Sequence, residues 1–552
     1  MEEKNVAEVV EAKTVCEGSI NNETFNQDTK SKLQRFELKT KDIVFSVLFL
    51  VSSVIFSSFG LWGGFRAGFT LASLVLFAVL TAYLLKKESK ITPFSFISAF
   101  FVVVLSCSFA VTSNASVRFW SFTVIFVLSL IWFCSLVKKC EKDDYALIST
   151  VFLSLFSGAL PHLPNSVISL FSGENKHRKT VGRVLLGIAM AIPVLLVVVP
   201  LLMISDEAFS GMTKKLTANV ATSVLQLFVG IIITPFIISY AFYMSKKEMP
   251  PVKKRESKGA ENSVIISFLS VLSFCYLAYL FSQLAYFFSA FSGFLPKDYS
   301  FTVSAYARRG FFEMCIIAAI NFLIIFLCLI FSRKENGKIC IASRILCTFI
   351  GFFTLIIIAT ALSKMFLYIK SFGMTELRIT TSAFMIFLSV TFIALMIKIF
   401  VARIRVLRVA LVTAATVLAL LGLFNVNSII GWYNYNAYIK GELKTIDVNA
   451  IYDLGDEGVP YLVKLTNDTD LAVSDTAKQR LKNAYTYGEY YIHGGYYNGE
   501  YKDGVFKITE KRFNGLSEYS VSRSRAYKAL DEYLKANPEI LVIENEYPED
   551  YY

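Results

Sequence analysis

Charged residues are scarce in this chain, and their scarcity is the first constraint on its fold. They make up 18% of the 552 residues, whereas soluble proteins average about a quarter. Only three histidines occur, at positions 162, 177 and 493, which disfavours a histidine-based metal centre and a Ser-His-Asp triad. The phosphate-binding pattern G-x-x-x-x-G-K-[ST] is missing, which excludes that route to nucleotide hydrolysis. The sequence therefore predicts no cofactor and no metal.

Cysteine is absent from the C-terminal third of the chain. All nine cysteines lie at or before residue 347. The C-terminal segment, which we predict below to be extracytoplasmic, therefore has no disulfide framework.

Long apolar stretches are what the chain has in abundance. It is 55% hydrophobic and contains 50 phenylalanines. A helix needs about 20 mostly apolar residues to cross a hydrocarbon layer of about 30 Å. Eleven stretches meet that requirement: Ile43–Trp62, Ala67–Leu85, Phe94–Val111, Phe119–Val137, Val184–Ile204, Ala221–Met244, Ser263–Phe287, Phe311–Phe331, Ile345–Ser363, Thr380–Phe400 and Arg408–Ile430. We therefore predict an all-α polytopic membrane protein with about 11 transmembrane helices and a small, mostly helical C-terminal extracytoplasmic domain.

One further apolar stretch, Tyr145–Ser172, is interrupted by Pro161 and Pro164. Each half is too short to span a bilayer, so we predict re-entrant or interfacial helices that return to the side they left. Counting this stretch as a single span would reverse the orientation of the second half of the chain.

Basic residues indicate the orientation of the helices. The chain has a net charge of +12, and the excess of Lys and Arg over Asp and Glu lies in short gaps between apolar runs. This placement favours a role in setting membrane orientation over a role in binding nucleic acid. The rich gaps alternate along the chain: 30–41, 86–90, 138–142, 176–183, 246–258, 333–338 and 398–408. Arg66 and Arg118 are alone in two opposite gaps, although Lys214, Lys215, Lys297, Lys364 and Lys370 make the later ones less clean. The positive-inside rule then predicts a cytoplasmic N-terminus and an extracytoplasmic C-terminal domain.

The predicted domains follow from these assignments. They are a disordered cytoplasmic tail (1–42), a four-helix membrane part (43–144), re-entrant or interfacial helices (145–183), a seven-helix membrane core (184–430) and the extracytoplasmic domain (431–552). The last domain is acidic, with about 14 Lys/Arg against about 20 Asp/Glu. We predict helices that start near Asp447, Gly458, Ser474 and Ser520, and a hairpin or ordered loop within Tyr485–Phe506.

A set of polar side chains is predicted at the outer ends of the membrane helices. Arg309 and Glu313 are four residues apart on one helix face, which also carries Tyr306 and Asn321. Ionisable groups at this depth are costly and usually face partners or a cavity. The candidate polar binding site comprises Tyr306, Arg309, Glu313, Gln283, Lys364, Glu376, Arg378, Asp206 and Glu207. The alternative is that these groups only satisfy one another where loops meet helices.

Four segments resemble bacterial multi-pass membrane proteins of the domain-of-unknown-function 4153/4173 type. They are the run Tyr306–Glu313, Gln283 with the aromatic run after it, Lys364–Arg378, and the pair formed by Asn436-Ala-Tyr-Ile and Leu454–Pro460. The resemblance covers roughly Val184 to the C-terminus, with Glu457-Gly458 where that family typically has Asp-Ala. It implies a protein of the bacterial cytoplasmic membrane and supplies no activity and no catalytic residues.

Three classes of function are open at this stage. The first is a non-enzymatic envelope protein, a sensor, assembly factor or ligand-binding protein with membrane lipids and an envelope lipid or protein as partners, and no nucleic acid. The second is a secondary transporter or lipid translocator, to which Pro193, Pro200, Gly230 and Pro235 point weakly. The third is a membrane enzyme acting on a lipid-linked substrate with Glu313, Asp206 or Glu207 as acid or base.

Overall fold

The structure is a computed structural model, and it describes most of the chain. The described residues are 36–85, 91–137, 144–171, 207–246, 260–291, 311–333, 339–401, 403–486, 497–502, 505–511, 519–537 and 542–544, with isolated positions between 194 and 205. The predicted N-terminal tail and the predicted span Val184–Ile204 lie largely outside these residues.

Helices long and apolar enough to cross a membrane dominate the described part of the chain, where nine pass that test. The helices up to the last span are α1 Thr40–Ile55, α2 Ala67–Leu84, α3 Pro93–Ser108, α4 Ala115–Val137, α5 Asp144–Phe152, α6 Leu163–Phe171, α7 Glu207–Lys246, α8 Asn262–Phe291, α9 Phe311–Phe331, α10 Ile341–Phe372, α11 Glu376–Phe400 and α12 Val406–Leu423. The predicted fold class, an all-α polytopic membrane protein, is confirmed.

Among the described membrane segments, two continue from α-helix into π-helix. Helix α1 continues into a π-helix at Phe56–Leu61, and α5 continues into one at Leu153–Ala159. The second of these meets α6 at a 53° bend, where the sequence has Pro161. Since a bend of this kind fits a broken span as well as a re-entrant loop, the predicted re-entrant pair stays a prediction.

The chain divides into two compact units, and the first comprises Met1–Trp62, Leu71–Ser95 and Leu130–Val252. Helix α7 packs there against α1, α6 and both π-helices. Lys246 at its end pairs with Asp42 at 2.7 Å, and the Tyr83 hydroxyl donates to the same carboxylate at 2.8 Å. The Asp42 carboxylate therefore joins the start of α1 to the ends of α2 and α7.

The second unit comprises Gly63–Thr70, Phe96–Ser129 and Lys253–Tyr552. Its membrane core is built by α8 to α11, with Phe353 and Phe392 fully buried. A polar chain crosses this core: the Tyr276 hydroxyl donates to Asn321 at 2.6 Å, and the Asn321 amide donates to Thr354 at 2.9 Å. These polar groups are satisfied by one another, as the interior of a membrane protein requires.

Beyond the last span the same unit forms a small domain of short helices and one sheet. The helices are α13 Val426–Ile439, α14 Val448–Tyr452, a 3-10 turn Gly455–Glu457, α15 Val459–Leu465, α16 Leu471–Thr486 and α17 Val521–Ala536. Strands β1 Tyr497–Lys502, β2 Val505–Lys511 and β3 Val542–Glu544 pair in the antiparallel order β1-β2-β3. A hairpin thus occupies part of the predicted segment Tyr485–Phe506 and extends beyond it to Lys511, whereas residues 487–496 lie outside the described residues.

The helix starts predicted for this domain are correct in three of four places. Asp447 caps α14 through a bond from the Ala450 amide at 3.1 Å, and Ser520 caps α17 through a bond from the Arg523 amide at 3.2 Å. Ser474 was predicted to cap a helix, and that prediction is wrong. Ser474 lies inside α16, and its buried hydroxyl donates to the Thr466 carbonyl at 2.6 Å, because the helix already begins three residues earlier.

Candidate functional site

The chain turns at Asn425, between the end of the last span at Leu423 and the start of α13 at Val426. This turn places the C-terminal domain against the ends of the spans. Asn425 has φ of 53°, the left-handed conformation that asparagine tolerates better than most residues. Its amide donates to the Val111 carbonyl at 3.2 Å and to the Ser522 hydroxyl at 2.7 Å. One side chain therefore joins the end of α12 to the α3–α4 loop and to the start of α17.

Two adjacent carboxylates, Asp456 and Glu457, lie at the centre of this junction, and each is only 3% exposed. Glu457 accepts hydrogen bonds from the Ser113 amide at 2.8 Å, from the Ser113 hydroxyl, and from the Ser522 hydroxyl at 2.7 Å. Bonds from several donors are what a buried carboxylate needs to offset its lost hydration. Glu457 is thus held at three points by two distant segments.

The neighbouring carboxylate of Asp456 faces a buried arginine from the first loop. Arg66 approaches it at 3.6 Å and is only 7% exposed. Arg118, at the start of α4, donates to the Thr112 carbonyl at 2.9 and 2.6 Å. The two arginines that stand alone in their loops are therefore used inside the junction.

Gly458 follows the carboxylate pair and allows the chain to pass close to α14. A Cβ atom at this position would lie 1.9 Å from the Ile451 carbonyl oxygen. Such a distance is far below van der Waals contact, so only glycine fits here without movement of the backbone.

Further contacts bring the short loops and the C-terminal domain to one end of the spans. The Ala67 amide donates to the Tyr519 carbonyl at 3.0 Å, and the Val521 amide donates to the Ala110 carbonyl at 3.0 Å. At the α10–α11 turn, Glu376 accepts from the Ser116 hydroxyl at 2.9 Å. The loops before α2, α4 and α11 therefore share one face with the C-terminal domain.

A groove of about 390 Å³ opens above the carboxylate pair. Asp456, Glu457 and Ser522 lie on its buried floor, whereas Lys464, Arg525 and Lys528 are exposed around it. The other side chains that line it are Ser428, Pro460, Tyr461, Val463, Ala529 and Glu532. Helix α17 supplies positions 522, 525, 528, 529 and 532, which the helical repeat places on one face.

The ring of Tyr461 forms part of the groove wall, beside the groove's cations. The Lys464 ammonium lies 5.1 Å from the Tyr435 ring centroid and 5.4 Å from that of Tyr461. Burial raises the pKa of the Tyr461 hydroxyl, and the positive charge of Arg525 partly opposes that rise. This wall therefore combines apolar surface with a hydroxyl close to positive charge.

The polar site predicted from the sequence lies only partly within the described residues. Tyr306, Arg309 and Asp206 fall outside them, and nothing is described of the Gln283 and Glu207 side chains within α8 and α7.

The predicted site residues that are described lie on three helices of the second unit, α9, α10 and α11. Glu313 is exposed on α9, Lys364 is half-buried on α10, and Glu376 is bonded to Ser116 as given above. The Arg378 guanidinium lies 4.0 Å from the Tyr368 ring centroid, and it also donates to the Phe372 carbonyl at 3.1 Å. A joint binding site of these residues stays a prediction.

Sequence reasoning did not single out the residues that build the observed groove. The acidic pair at 456 and 457, flanked by glycines and apolar residues, was read only as part of a resemblance. A second signal was the isolation of Arg66 and Arg118 in loops otherwise without positive charge. Within the described ranges no three His, Cys, Asp or Glu side chains are grouped as metal ligands would be.

Comparison with known families identifies one match. The model described as "Domain of unknown function (DUF4153)" matches residues 99–465. The match confirms the predicted resemblance to the 4153 type, but it begins before Val184 and ends within the C-terminal domain. No curated protein and no solved structure matches the chain.

Proposed function

The chain belongs to the DUF4153 family, and we propose that it is a non-enzymatic ligand-binding protein of the bacterial cytoplasmic membrane. In this proposal the C-terminal domain lies outside the cytoplasm and takes a phosphate- or carboxylate-bearing ligand into the groove between α15 and α17. The observation that carries the proposal is the set of exposed cations, Lys464, Arg525 and Lys528, around a concave surface.

The charge balance of the groove favours an anionic ligand. On the floor, Asp456 faces Arg66 and Glu457 accepts three hydrogen bonds. Around the opening, three cations stand against a single carboxylate, that of Glu532. Neither Arg525 nor Lys528 forms an ion pair with any part of the chain that the structure describes. Their charges are therefore available to an incoming group.

The residue types around the opening suit a phosphate or a carboxylate. A guanidinium such as that of Arg525 can donate two parallel hydrogen bonds to such a group, and an ammonium adds a compact charge. The ring of Tyr461 offers apolar surface beside these charges. These cations and the tyrosine ring together support binding of a phosphate or carboxylate group that has an apolar part beside it.

The state of the carboxylate pair favours binding over catalysis. A general acid or base must reach the substrate proton within hydrogen-bonding distance. Both oxygens of Glu457 are engaged by Ser113 and Ser522, and Asp456 is buried beside Arg66. These contacts give the pair a structural role. The bond from Ser522 to Glu457 fixes the start of α17, the helix that carries Arg525 and Lys528.

The proposal is tested with the full chain in nanodiscs of zwitterionic lipid, with inorganic pyrophosphate as the probe. Reversing two charges, with Arg525→Glu and Lys528→Glu together, should raise the Kd at least about tenfold, because each charged hydrogen bond contributes about 1.5–3 kcal/mol. The matched control combines Lys478→Glu with Lys535→Glu, which changes the net charge equally at exposed positions outside the groove.

Two results would reject the groove as the binding site. One is a wild-type chain that does not bind pyrophosphate at low salt. The other is an equal loss of affinity in the groove variant and its control, which would mean that only net charge matters. Substrate uptake into vesicles tests the transporter alternative. Turnover of lipid headgroups that Glu313→Gln abolishes would favour the enzyme alternative.

A further inference from the structure

Helix α13, directly after the last span, has an apolar face that the rest of the described chain leaves uncovered. Ile429, Trp432 and Ile439 are exposed by 44%, 59% and 60%. At the helical repeat these three positions fall on one side of the helix. The opposite side is buried: Ile430 packs into the core of the C-terminal domain, and the Asn434 side chain exchanges hydrogen bonds with the Met374 backbone at 2.7 and 2.8 Å.

This face continues an apolar surface of the preceding span. Near the end of α12, Leu420 and Leu423 are exposed by 51% and 42%, and Phe424 at the turn is exposed by 67%. A spanning helix exposes such side chains to lipid tails. The exposed surface thus passes from α12 through Phe424 onto α13 without an intervening charged residue.

We propose that α13 lies in the membrane interface, with Ile429, Trp432 and Ile439 in contact with lipid at the headgroup–acyl boundary. The leaflet concerned is the one on the side of the C-terminal domain. This proposal is independent of the ligand-binding groove.

The composition of α13 fits that environment better than water or the bilayer centre. From Val426 to Ile439 the helix has no charged residue but three asparagines and three tyrosines. Tryptophan and tyrosine favour the interface because their rings are apolar and their tips polar. Lys440 and Lys444, exposed just beyond the helix, lie where phosphate groups of lipids would attract them.

The interface position has a consequence for the neighbouring groove. Ser428 lines the groove, and the next residue, Ile429, belongs to the lipid-facing side. The groove is therefore held close to the headgroups rather than far out in the aqueous phase.

Tryptophan fluorescence tests this placement, because the chain has only four tryptophans. A variant with Trp62→Phe, Trp120→Phe and Trp132→Phe keeps Trp432 alone, and it is reconstituted at one copy per nanodisc. The nanodiscs contain lipids brominated either near the headgroup end or near the methyl end of the acyl chain. We expect most of the Trp432 emission to be lost with the first lipid, little to be lost with the second, and slow quenching by aqueous iodide.

Two matched variants calibrate the result. One keeps only Trp120, which is 57% exposed on the spanning helix α4, and serves as the lipid-exposed reference. The other keeps only Trp132, which is 7% exposed, and serves as the protein-buried reference. If iodide quenches Trp432 while neither brominated lipid does, the face is in water and the proposal is wrong. It is equally wrong if Trp432 behaves as Trp132 does, because another part of the protein then covers it.

Discussion

The buried carboxylate of Glu457 provides the sharpest test of how the C-terminal domain is held. Replacement by alanine removes the acceptor for the amide and hydroxyl of Ser113 and for the hydroxyl of Ser522. The Ser522 hydroxyl can turn fully to the Val111 carbonyl, which it already contacts at 2.8 Å. The two Ser113 donors have no such alternative acceptor in the described contacts. At about 1.5 kcal/mol for each bond to a charged group, Glu457→Ala should cost about 3 kcal/mol of stability.

The measurement is chemical denaturation of the full chain in detergent, combined with hydrogen exchange of the peptide that contains the Ser113 amide. Glu457→Gln should cost only about 1 kcal/mol, since its carbonyl oxygen keeps an acceptor for that amide. The control is Glu532→Ala, an exposed groove carboxylate whose loss should change stability by less than about 0.5 kcal/mol. The reasoning fails if Glu457→Ala and Glu532→Ala unfold at the same denaturant concentration, or if exchange at Ser113 is as slow as in the wild type.

Three further outcomes follow from the same region. Arg66→Ala should destabilise the domain by about 3–5 kcal/mol, because it removes the arginine that faces the buried Asp456 carboxylate. Arg66→Met combined with Asp456→Leu should recover most of that loss in the same denaturation assay. Equal stabilities for the two variants would contradict this. Gly458→Ala should cost about 1–3 kcal/mol, because the added Cβ overlaps a backbone oxygen, and an unchanged unfolding midpoint would show that the contact relaxes freely. Arg525→Ala should raise the pKa of Tyr461 further, measured by tyrosinate absorbance against a Tyr461→Phe reference. Burial already raises this pKa above 10.0, so the neutral hydroxyl contributes stability below pH 10. That contribution is lost as the pH rises through the folded-state pKa. A lower pKa of Tyr461 in Arg525→Ala would contradict the expected direction of the shift.

The membrane helices could be predicted from the sequence because bilayer thickness imposes a length that an apolar run must match. The end of the last span could not. The apolar run continues through Ile429 and Ile430, so it predicted a helix to 430, whereas α12 ends at Leu423. The break depends on the left-handed backbone at Asn425 and on the two partners of its amide, which hydropathy does not register.

The groove was missed for a related reason. Its floor depends on contacts between residues far apart in the chain, such as Ser113 with Glu457 and Arg66 with Asp456. A sequence pattern reports neighbours along a helix and is silent about such pairs. The predicted polar site used charges at helix ends, where position along the chain was the only guide.

The contacts at one end of the spans also bear on the interrupted stretch near Pro161. Ser116 and Glu376 are hydrogen-bonded, so both lie on the same side of the membrane. Five described helices between them qualify as spans: Ala115–Val137, Ser223–Lys246, Asn262–Phe281, Glu313–Phe331 and Ile341–Phe372. Five crossings alone would leave the two residues on opposite sides. One further crossing restores the parity, whether it is the predicted span at 184–204 or the bent pair Ala146–Leu170, so both assignments stay predictions.

The bond between Ser113 and Glu457 joins residues that are 344 positions apart. During synthesis the loop with Ser113 is therefore finished long before its acceptor exists, and every later helix must be inserted before the bond can form. Contacts of such long range are completed late in folding. A chain that ended before Leu454 would therefore keep the loop with Ser113 but lack the Glu457 carboxylate that accepts its hydrogen bonds.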